Sequence, residues 1–142
     1  MNMNFRSLAE KMTSSAPIVL RIGMSLIILW FGIQQIIDVT SWIGYLPEWT
    51  ATLPVSQSSL VYLNGSFEII FGVFMLLGFY TRISALFLAL HLFDIVYLVG
   101  YDATGMRDLG LAIAISAIFL YGPDRCCIDE RGKKNIPAPS LV

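Results

Sequence analysis

The sequence has few charged residues, and this scarcity excludes most classes of soluble protein. Only 13% of the 142 residues are Asp, Glu, Lys or Arg, while 56% are hydrophobic. Soluble globular domains carry about 25% charged residues, so a soluble core of this size would lack the polar residues needed to cover its surface. A helical bundle surrounded by lipid has no such need. The composition therefore predicts one membrane-embedded domain.

Cysteine and histidine are also scarce, which narrows the chemistry. The chain has one histidine and two cysteines, the adjacent Cys126 and Cys127. It therefore has no disulfide framework, no Cys-x-x-Cys pair and no HExxH motif, and we expect no metal site. The net charge of −1 gives no reason to expect nucleic acid as a partner. The two cysteines fit either a pair of small residues at a helix exit or a site of reversible acylation.

Long apolar stretches dominate what is present. A membrane-spanning helix needs about 20 mainly apolar residues. The chain has four such stretches in a transmembrane domain of residues 17–122, at residues 17–37, 60–79, 83–100 and 106–121, between a polar segment 1–16 and a tail 123–142. Pro17 suits the first turn of the first span, and Arg21 is expected to extend to the lipid headgroups. The predicted fold class is all-α, a four-helix transmembrane bundle.

The basic residues predict how this bundle is oriented. Arg6 and Lys11 precede the first span, Arg82 joins the second to the third, and four basic residues follow the fourth. The long connection 38–59 has no Lys or Arg. The positive-inside rule therefore predicts that both termini are cytoplasmic and that the long loop is external. The aromatic residues of this loop are typical of a segment that lies on the membrane surface: Trp42, Tyr45 and Trp49.

Ionisable and amide side chains interrupt all four apolar stretches. They are Gln34 and Gln35, Asn64 and Glu68, His91 and Asp94, and Arg107 and Asp108. At about 1.5 Å per residue, all of them fall in the outer half of the predicted bundle. A charged side chain near the bilayer centre costs at least about 2.5–3.5 kcal/mol, so we expect these residues to face one another rather than lipid. The pattern predicts an intramembrane polar site.

The residue types suggest a role for each member of this site. Glu68 and His91 are candidates for proton exchange, because a carboxyl group and an imidazole can both donate and accept protons. The remaining residues are candidate ligand-binding groups: Gln34, Gln35, Asn64, Asp94, Arg107 and Asp108. Structural interpretations stay open. The amides fit interhelical hydrogen bonds. His91 and Asp94 fit a structural pair, and Arg107 with Asp108 fits a helix cap and an ion pair.

Short motifs run in a fixed order along the chain from about Arg21 to Asp129. They are Phe31-Gly32, Gly65-Ser-Phe-Glu68, Gly72, Gly78-Phe-Tyr-Thr81-Arg82, Arg107-Asp108-Leu109-Gly110-Leu111-Ala112, Gly122-Pro123-Asp124-Arg125 and Ile128-Asp129. In this order they resemble the DoxX-like family of small four-helix membrane proteins. The resemblance implies a multi-pass protein of a bacterial or archaeal inner membrane. Family members often have Lys near the end of the first span, where this chain has Gln34 and Gln35.

The resemblance also implies two kinds of function. Some relatives are subunits of quinone-linked sulfur oxidoreductases or of membrane redox complexes, and others act in assembly or trafficking. The leading hypothesis is a small oxidoreductase subunit with a polar pocket for a quinone-like ligand. It would lie in the lipid bilayer with other subunits or with a second copy, and electrons would come from a partner, which leaves open whether this chain is itself an enzyme.

Two alternatives remain at this point. One is a non-enzymatic assembly or scaffold protein whose polar cluster only fixes the register of the helices. The other is a pathway for protons or a small solute, for which four short helices offer little machinery for alternating access. A pocket deep enough for a ring favours the quinone hypothesis, whereas a fully self-paired cluster without a cavity favours the scaffold.

Overall fold

The computed structural model describes residues 5–133, and the predictions for residues 1–4 and 134–142 lie outside this range. Its elements are α1 (Phe5–Ile37), α2 (Val39–Ile43), a short 3₁₀ helix (Glu48–Thr52), α3 (Gln57–Leu77), α4 (Thr81–Val99), α5 (Ala103–Tyr121) and α6 (Ile128–Lys133). The helices α1, α3, α4 and α5 are long and apolar enough to cross a membrane. The predicted all-α, four-helix transmembrane fold is confirmed.

The ends of the later helices follow their capping residues. The side chain of Ser56 accepts a hydrogen bond from the backbone at the start of α3, and Asp102 does the same for α5. At the other end of α3, Gly78 lies in the left-handed region with φ 68°, a conformation that glycine adopts without strain. These caps place the boundaries of α3, α4 and α5 within about three residues of the predicted spans.

The first helix differs from its prediction. It begins at Phe5, and Pro17 lies inside it rather than in its first turn. Residues 5–16 are rich in good helix formers such as Leu, Ala, Glu, Lys and Met, and they continue the helix although Pro17 removes one backbone hydrogen bond. With 33 residues, α1 is about 50 Å long, whereas the hydrocarbon core of a bilayer is about 30 Å thick.

The spanning helices pack as two pairs. The most extensive contacts join α1 to α3 and α4 to α5. The first pair crosses at Gly32 and Gly65, where a Cβ atom on either residue would lie 2.9 Å from the carbonyl oxygen of the other. Small residues allow such a close approach of transmembrane helices. Side chains such as Ile28, Met75 and Ile115 are almost completely buried in the core of the bundle.

Two ends of the bundle are distinguished below. The loop end carries residues 38–56 and the α4–α5 turn. The tail end carries the α3–α4 turn and residues 122–133. The polar residues of α3 and α4 lie towards the loop end, as their depth in the sequence predicts. Which end faces the cytoplasm stays a prediction, based on the distribution of Lys and Arg.

Candidate functional site

A chain of amide hydrogen bonds holds the carboxylate of Glu68 between α1 and α3. Asn64 donates to Gln35 Oε1 at 2.6 Å, and Gln35 donates to Glu68 Oε2 at 2.9 Å. Asn64 also donates to Glu68 Oε1, at 3.3 Å. Gln35 and Glu68 are only 2% and 3% exposed. Both carboxylate oxygens therefore have amide donors, and the network joins the two helices in the way predicted for interhelical amides.

His91 approaches the same carboxylate from α4. Its Nε2 atom lies 3.6 Å from Glu68 Oε1, which is too long for a direct hydrogen bond. This nitrogen is buried and has no hydrogen-bond partner among residues 5–133. The imidazole packs against the Phe67 ring at a centroid distance of 4.7 Å. The structure thus brings Glu68 and His91 together and leaves one polar atom between them unsatisfied.

A cavity of about 140 Å³ lies beside this pair at the loop end. Seven of the eight predicted polar residues line it: Gln35, Asn64, Glu68, His91, Asp94, Arg107 and Asp108. Gln34 does not line it, because the next residue of an α-helix points about 100° away. Sequence reasoning missed the contribution of Trp42 and Tyr45, which line the cavity as part of the loop. Their signal was the aromatic cluster beside the polar ends of the spans.

Arg107 and Asp108 form the α5 side of the cavity. Arg107 Nε donates to Asp108 Oδ1 at 2.8 Å, and its guanidinium lies 4.6 Å from the centroid of the Phe31 ring. The predicted ion pair is confirmed, and it compensates a carboxylate that is only 5% exposed. The predicted capping role is wrong, because Asp102 caps α5 and the pair lies one turn further along the helix.

Asp94 occupies a different position from the one predicted. It lines the cavity but is exposed rather than enclosed in the bundle. The structural pair predicted for His91 and Asp94 is wrong, since no hydrogen bond or ion pair joins them in the part of the chain that the structure describes. A spacing of three residues places both on one side of α4, but Asp94 lies further towards the loop end. It therefore forms part of the mouth of the cavity.

A second polar cluster, at the tail end, was not predicted. Arg21 is only 3% exposed. Its Nε donates to Asp124 Oδ2 at 2.6 Å, and its Nη1 donates to the carbonyl of Met75 at 2.9 Å. The prediction that Arg21 extends to the lipid headgroups is therefore wrong. The carboxylate after α5 and the backbone carbonyls in the last turn of α3 satisfy the guanidinium inside the protein.

The same cluster fixes the turn between α3 and α4. Asp129 accepts hydrogen bonds from the backbone of Tyr80 and of Thr81 at 2.9 and 2.8 Å, which satisfies the start of α4. A Cβ atom on Gly78 would lie 2.5 Å from the Cα atom of Cys127. The motif at residues 78–82 therefore packs directly against the motifs at residues 122–129. We call Arg21, Thr81, Asp124, Cys127 and Asp129 the tail-end cluster.

Ionisation in the tail-end cluster follows from these contacts. Burial acts to raise the pKa of the Asp124 carboxyl, but hydrogen bonds from Arg21 and from the Cys126 backbone outweigh it and hold this pKa below its ordinary value. Burial raises the pKa of the Cys127 thiol. Cys127 is completely buried and fits the small-residue interpretation, whereas Cys126 is exposed and its acylation stays a prediction.

Comparison with known proteins agrees with this architecture. The DoxX family model matches residues 16–100, a range that includes Gln35, Glu68 and His91. The Arg107–Asp108 pair and Asp124 lie beyond the matched range. No curated protein and no solved structure matches the chain. The matched range covers more than half of the sequence and three of the four spanning helices, so the chain belongs to the DoxX family.

Proposed function

We propose that this membrane protein is a small subunit of an oxidoreductase complex that binds a quinone-like ligand in the loop-end cavity. The observation that carries the proposal is His91 Nε2, a buried nitrogen that faces Glu68 beside a cavity and has no hydrogen-bond partner among the described residues. Leaving a buried polar atom unsatisfied costs about 1–3 kcal/mol. A ligand oxygen in the cavity would supply the partner that His91 lacks.

The size and lining of the cavity support a ring-shaped ligand. Its volume of about 140 Å³ is close to the ~150 Å³ of an engineered apolar cavity that binds benzene. Apolar side chains such as Ile28, Leu92 and Leu111 line it together with the polar residues. Ligand pockets commonly combine apolar walls with a few orienting polar groups. A single six-membered ring with polar substituents fits this description.

The residues of the cavity fit the chemistry of quinone reduction. Each carbonyl oxygen of a quinone takes up a proton as electrons arrive, so a binding site for reduction needs proton donors near these oxygens. Glu68 and His91 exchange protons with one oxygen, while Gln35 and Asn64 hold the Glu68 carboxylate in place. Arg107 presents further N–H donors from α5. The electrons would come from a partner subunit.

The scaffold alternative has one observation in its favour. The hydrogen bonds among Gln35, Asn64 and Glu68 already satisfy both oxygens of the carboxylate and tie α1 to α3. Such a network fixes helix register without any ligand. In that case the cavity would stay empty, and the protein would act in the assembly of a membrane complex. Ligand binding therefore separates the two functions.

Trp42 offers a direct test because it lines the cavity. With Trp30 and Trp49 changed to Phe, Trp42 becomes the sole tryptophan. The protein in lipid nanodiscs is titrated with a short-chain 1,4-benzoquinone while Trp42 fluorescence is recorded. We expect saturable quenching. The matched variants are Gln35→Leu, which should weaken binding about tenfold, or ~1.4 kcal/mol, and Gln34→Leu, which should not. Quenching that does not saturate and is equal in both variants would favour the scaffold.

The location and orientation belong to the same proposal. We infer an inner-membrane protein whose loop end faces outwards, from the family and from the absence of Lys and Arg in residues 38–59. An impermeant maleimide should leave the exposed Cys126 unlabelled in intact cells and label it in inverted vesicles. A Ser41→Cys variant in a Cys126→Ser background should show the opposite pattern. Labelling of Cys126 in intact cells would reverse the orientation.

A further inference from the structure

Three titratable residues that line the cavity, one from α3 and two from α4, differ stepwise in exposure. Glu68 is 3% exposed, the His91 side chain is 18% exposed, and Asp94 is exposed at the mouth. All three line the same cavity. The buried carboxylate of Glu68 therefore has a neighbour of intermediate exposure, and beyond this neighbour a second carboxyl group is open to the surroundings.

The geometry suits proton transfer along this line. His91 Nε2 faces Glu68 Oε1 at 3.6 Å, a separation that a small side-chain movement closes to hydrogen-bond length. Asp94 follows His91 by three residues on the same side of α4. An imidazole can accept a proton on one ring nitrogen while it releases another from the second, which is why histidine serves as a proton shuttle. One carboxyl group, that of Glu68, faces His91 Nε2, and a second, that of Asp94, lines the same cavity.

We propose that Asp94 is the proton-exchange residue of the site and carries protons between the cavity mouth and the buried Glu68–His91 pair. When Asp94 and His91 come within hydrogen-bond distance, or a water molecule bridges them, a proton leaves the Asp94 carboxyl for one nitrogen of His91. The proton on Nε2 then passes to the Glu68 carboxylate. Asp94 is left as a carboxylate and regains a proton from the medium. No electrons move in this step. The use of the proton, in reducing a bound quinone, rests on the proposed function, but the exchange itself does not.

The other titratable or charged groups at the cavity are poorer candidates. Asp108 is buried and its Oδ1 accepts from Arg107 at 2.8 Å. Arg107 is a hydrogen-bond donor without an acceptor atom, and it is engaged in this ion pair. Tyr45 lies in the loop that lines the cavity, and the polar residue that α1 contributes to the described lining is Gln35, whose amide does not titrate. Asp94 has no hydrogen bond or ion pair within residues 5–133, so its carboxyl is available for exchange.

Infrared spectroscopy after a pH jump tests the proposal without any quinone. In nanodiscs, the carbonyl band of protonated Glu68 is identified by its loss in Glu68→Gln, and its rate of appearance is followed after acidification. We expect Asp94→Asn to slow this rate at least about tenfold and to leave the final titration curve unchanged. Asp94→Glu, which restores a carboxyl group, should recover most of the rate. Equal rates in wild type and Asp94→Asn would overturn the proposal.

A second measurement uses wild-type protein and tests the proposal even if Asp94→Asn does not fold. A hydrophobic carbodiimide adds across a protonated carboxyl group to form an N-acylurea, with no leaving group, and mass spectrometry locates the modified residue. In folded wild-type protein we expect the reagent to modify Asp94. Protonation of Glu68 should then be as slow as in Asp94→Asn. An unmodified Asp94, or an unchanged Glu68 rate after modification, would overturn the proposal. If benzoquinone binding fails while these results hold, only the proposed ligand is wrong.

Discussion

The tail end and the loop end both contain buried charges, but they differ in how completely these charges are paired. At the tail end, Arg21 is bound by Asp124 and by a backbone carbonyl. At the loop end, Glu68 has amide partners, whereas His91 Nε2 has none among residues 5–133 and a cavity lies beside it. Fully paired groups in the first region stabilise the fold. Incompletely paired groups in the second are available to a ligand.

This contrast predicts opposite consequences for similar substitutions. Removing a charge at the tail end should destabilise the protein, because it leaves its partner buried and unpaired. Removing a titratable group at the loop end should change function with little loss of stability. The experiments below test this division, in order of decreasing effect on the free energy of unfolding.

Arg21→Met should produce the largest loss in the free energy of unfolding. It leaves the Asp124 carboxylate buried without its partner, and breaking a buried ion pair in this way costs about 3–5 kcal/mol. The free energy of unfolding is measured by titration with sodium dodecyl sulfate in mixed micelles. Arg125→Met is the matched control. Arg125 is exposed, and its one side-chain hydrogen bond within residues 5–133 is to Ser15 at 3.3 Å, so this variant should lose less than about 1 kcal/mol. Equal losses in the two variants would show that the buried Arg21–Asp124 pair does not stabilise the fold, and would contradict the role given to the tail end.

Gly78→Ala should produce the next largest loss. The left-handed φ of 68° costs a non-glycine residue about 1–2 kcal/mol, and the added Cβ would lie 2.5 Å from the Cα atom of Cys127. We expect a total loss of about 2 kcal/mol or more in the same titration. Gly110→Ala is the control, because no atom lies within 4 Å of the Cβ position there. It should leave stability unchanged or raise it by up to about 1 kcal/mol.

Glu68→Gln should separate stability from function at the loop end. An amide replaces the carboxyl group closely in shape, and its oxygen can still accept the 2.9 Å hydrogen bond from Gln35. Its NH₂ group gives up only the longer hydrogen bond from Asn64, at 3.3 Å, so we expect a loss of about 1 kcal/mol. An amide cannot titrate, so reduction of a bound quinone should fall by about 10²-fold or more. Reduction is measured in nanodiscs with the electron-donating partner that the proposed function requires. A stable variant with full activity would contradict the proton-exchange role and favour the scaffold.

The last prediction concerns how stability changes with pH rather than its value at one pH. Because the pKa of Asp124 is lower in the folded protein than its ordinary value of 3.8, the unfolded chain binds more protons here and stability rises with pH. The contribution is complete above the ordinary value and is lost as the pH falls through the folded-state value. Asp124→Asn also leaves Arg21 buried without its ion-pair partner, so it should lower stability at neutral pH. It should in addition flatten the acid limb of the unfolding curve, measured from pH 6 down to about pH 2. An unaltered acid limb would show that other carboxyl groups control it.

The level of the loop-end site was predictable because hydropathy fixes depth. Each span has a definite length, so the positions of Asn64, Glu68 and His91 along their helices determine how far each lies from the membrane surface. The direction in which each side chain points was harder to predict from the sequence. Gln34 and Gln35 are identical and adjacent, and only packing against α3 determines which one faces Glu68. For Asp94, the helix periodicity gave the correct side of α4 but not the position of the cavity mouth.

The tail-end cluster was not predictable from local patterns. Arg21 and Asp124 are 103 residues apart in the sequence, and they meet only because the two helix pairs bring the start of one span beside the end of another. An arginine near the end of a span usually extends to the headgroups, so the simpler interpretation was favoured. The motif from Gly122 to Arg125 contained the partner, but a motif alone does not show which helix it contacts.

The length of α1 also determines how far the protein reaches from the membrane. Its 33 residues form one helix through Pro17, so about a dozen residues continue beyond the hydrocarbon for roughly 15–20 Å. A flexible linker of that size would allow an attached partner to vary in its distance and orientation relative to the bundle. A helical extension instead holds its outermost described residue, the 85% exposed Phe5, at a set height. A partner that bound there would keep a constant distance from the bundle and a constant orientation relative to it.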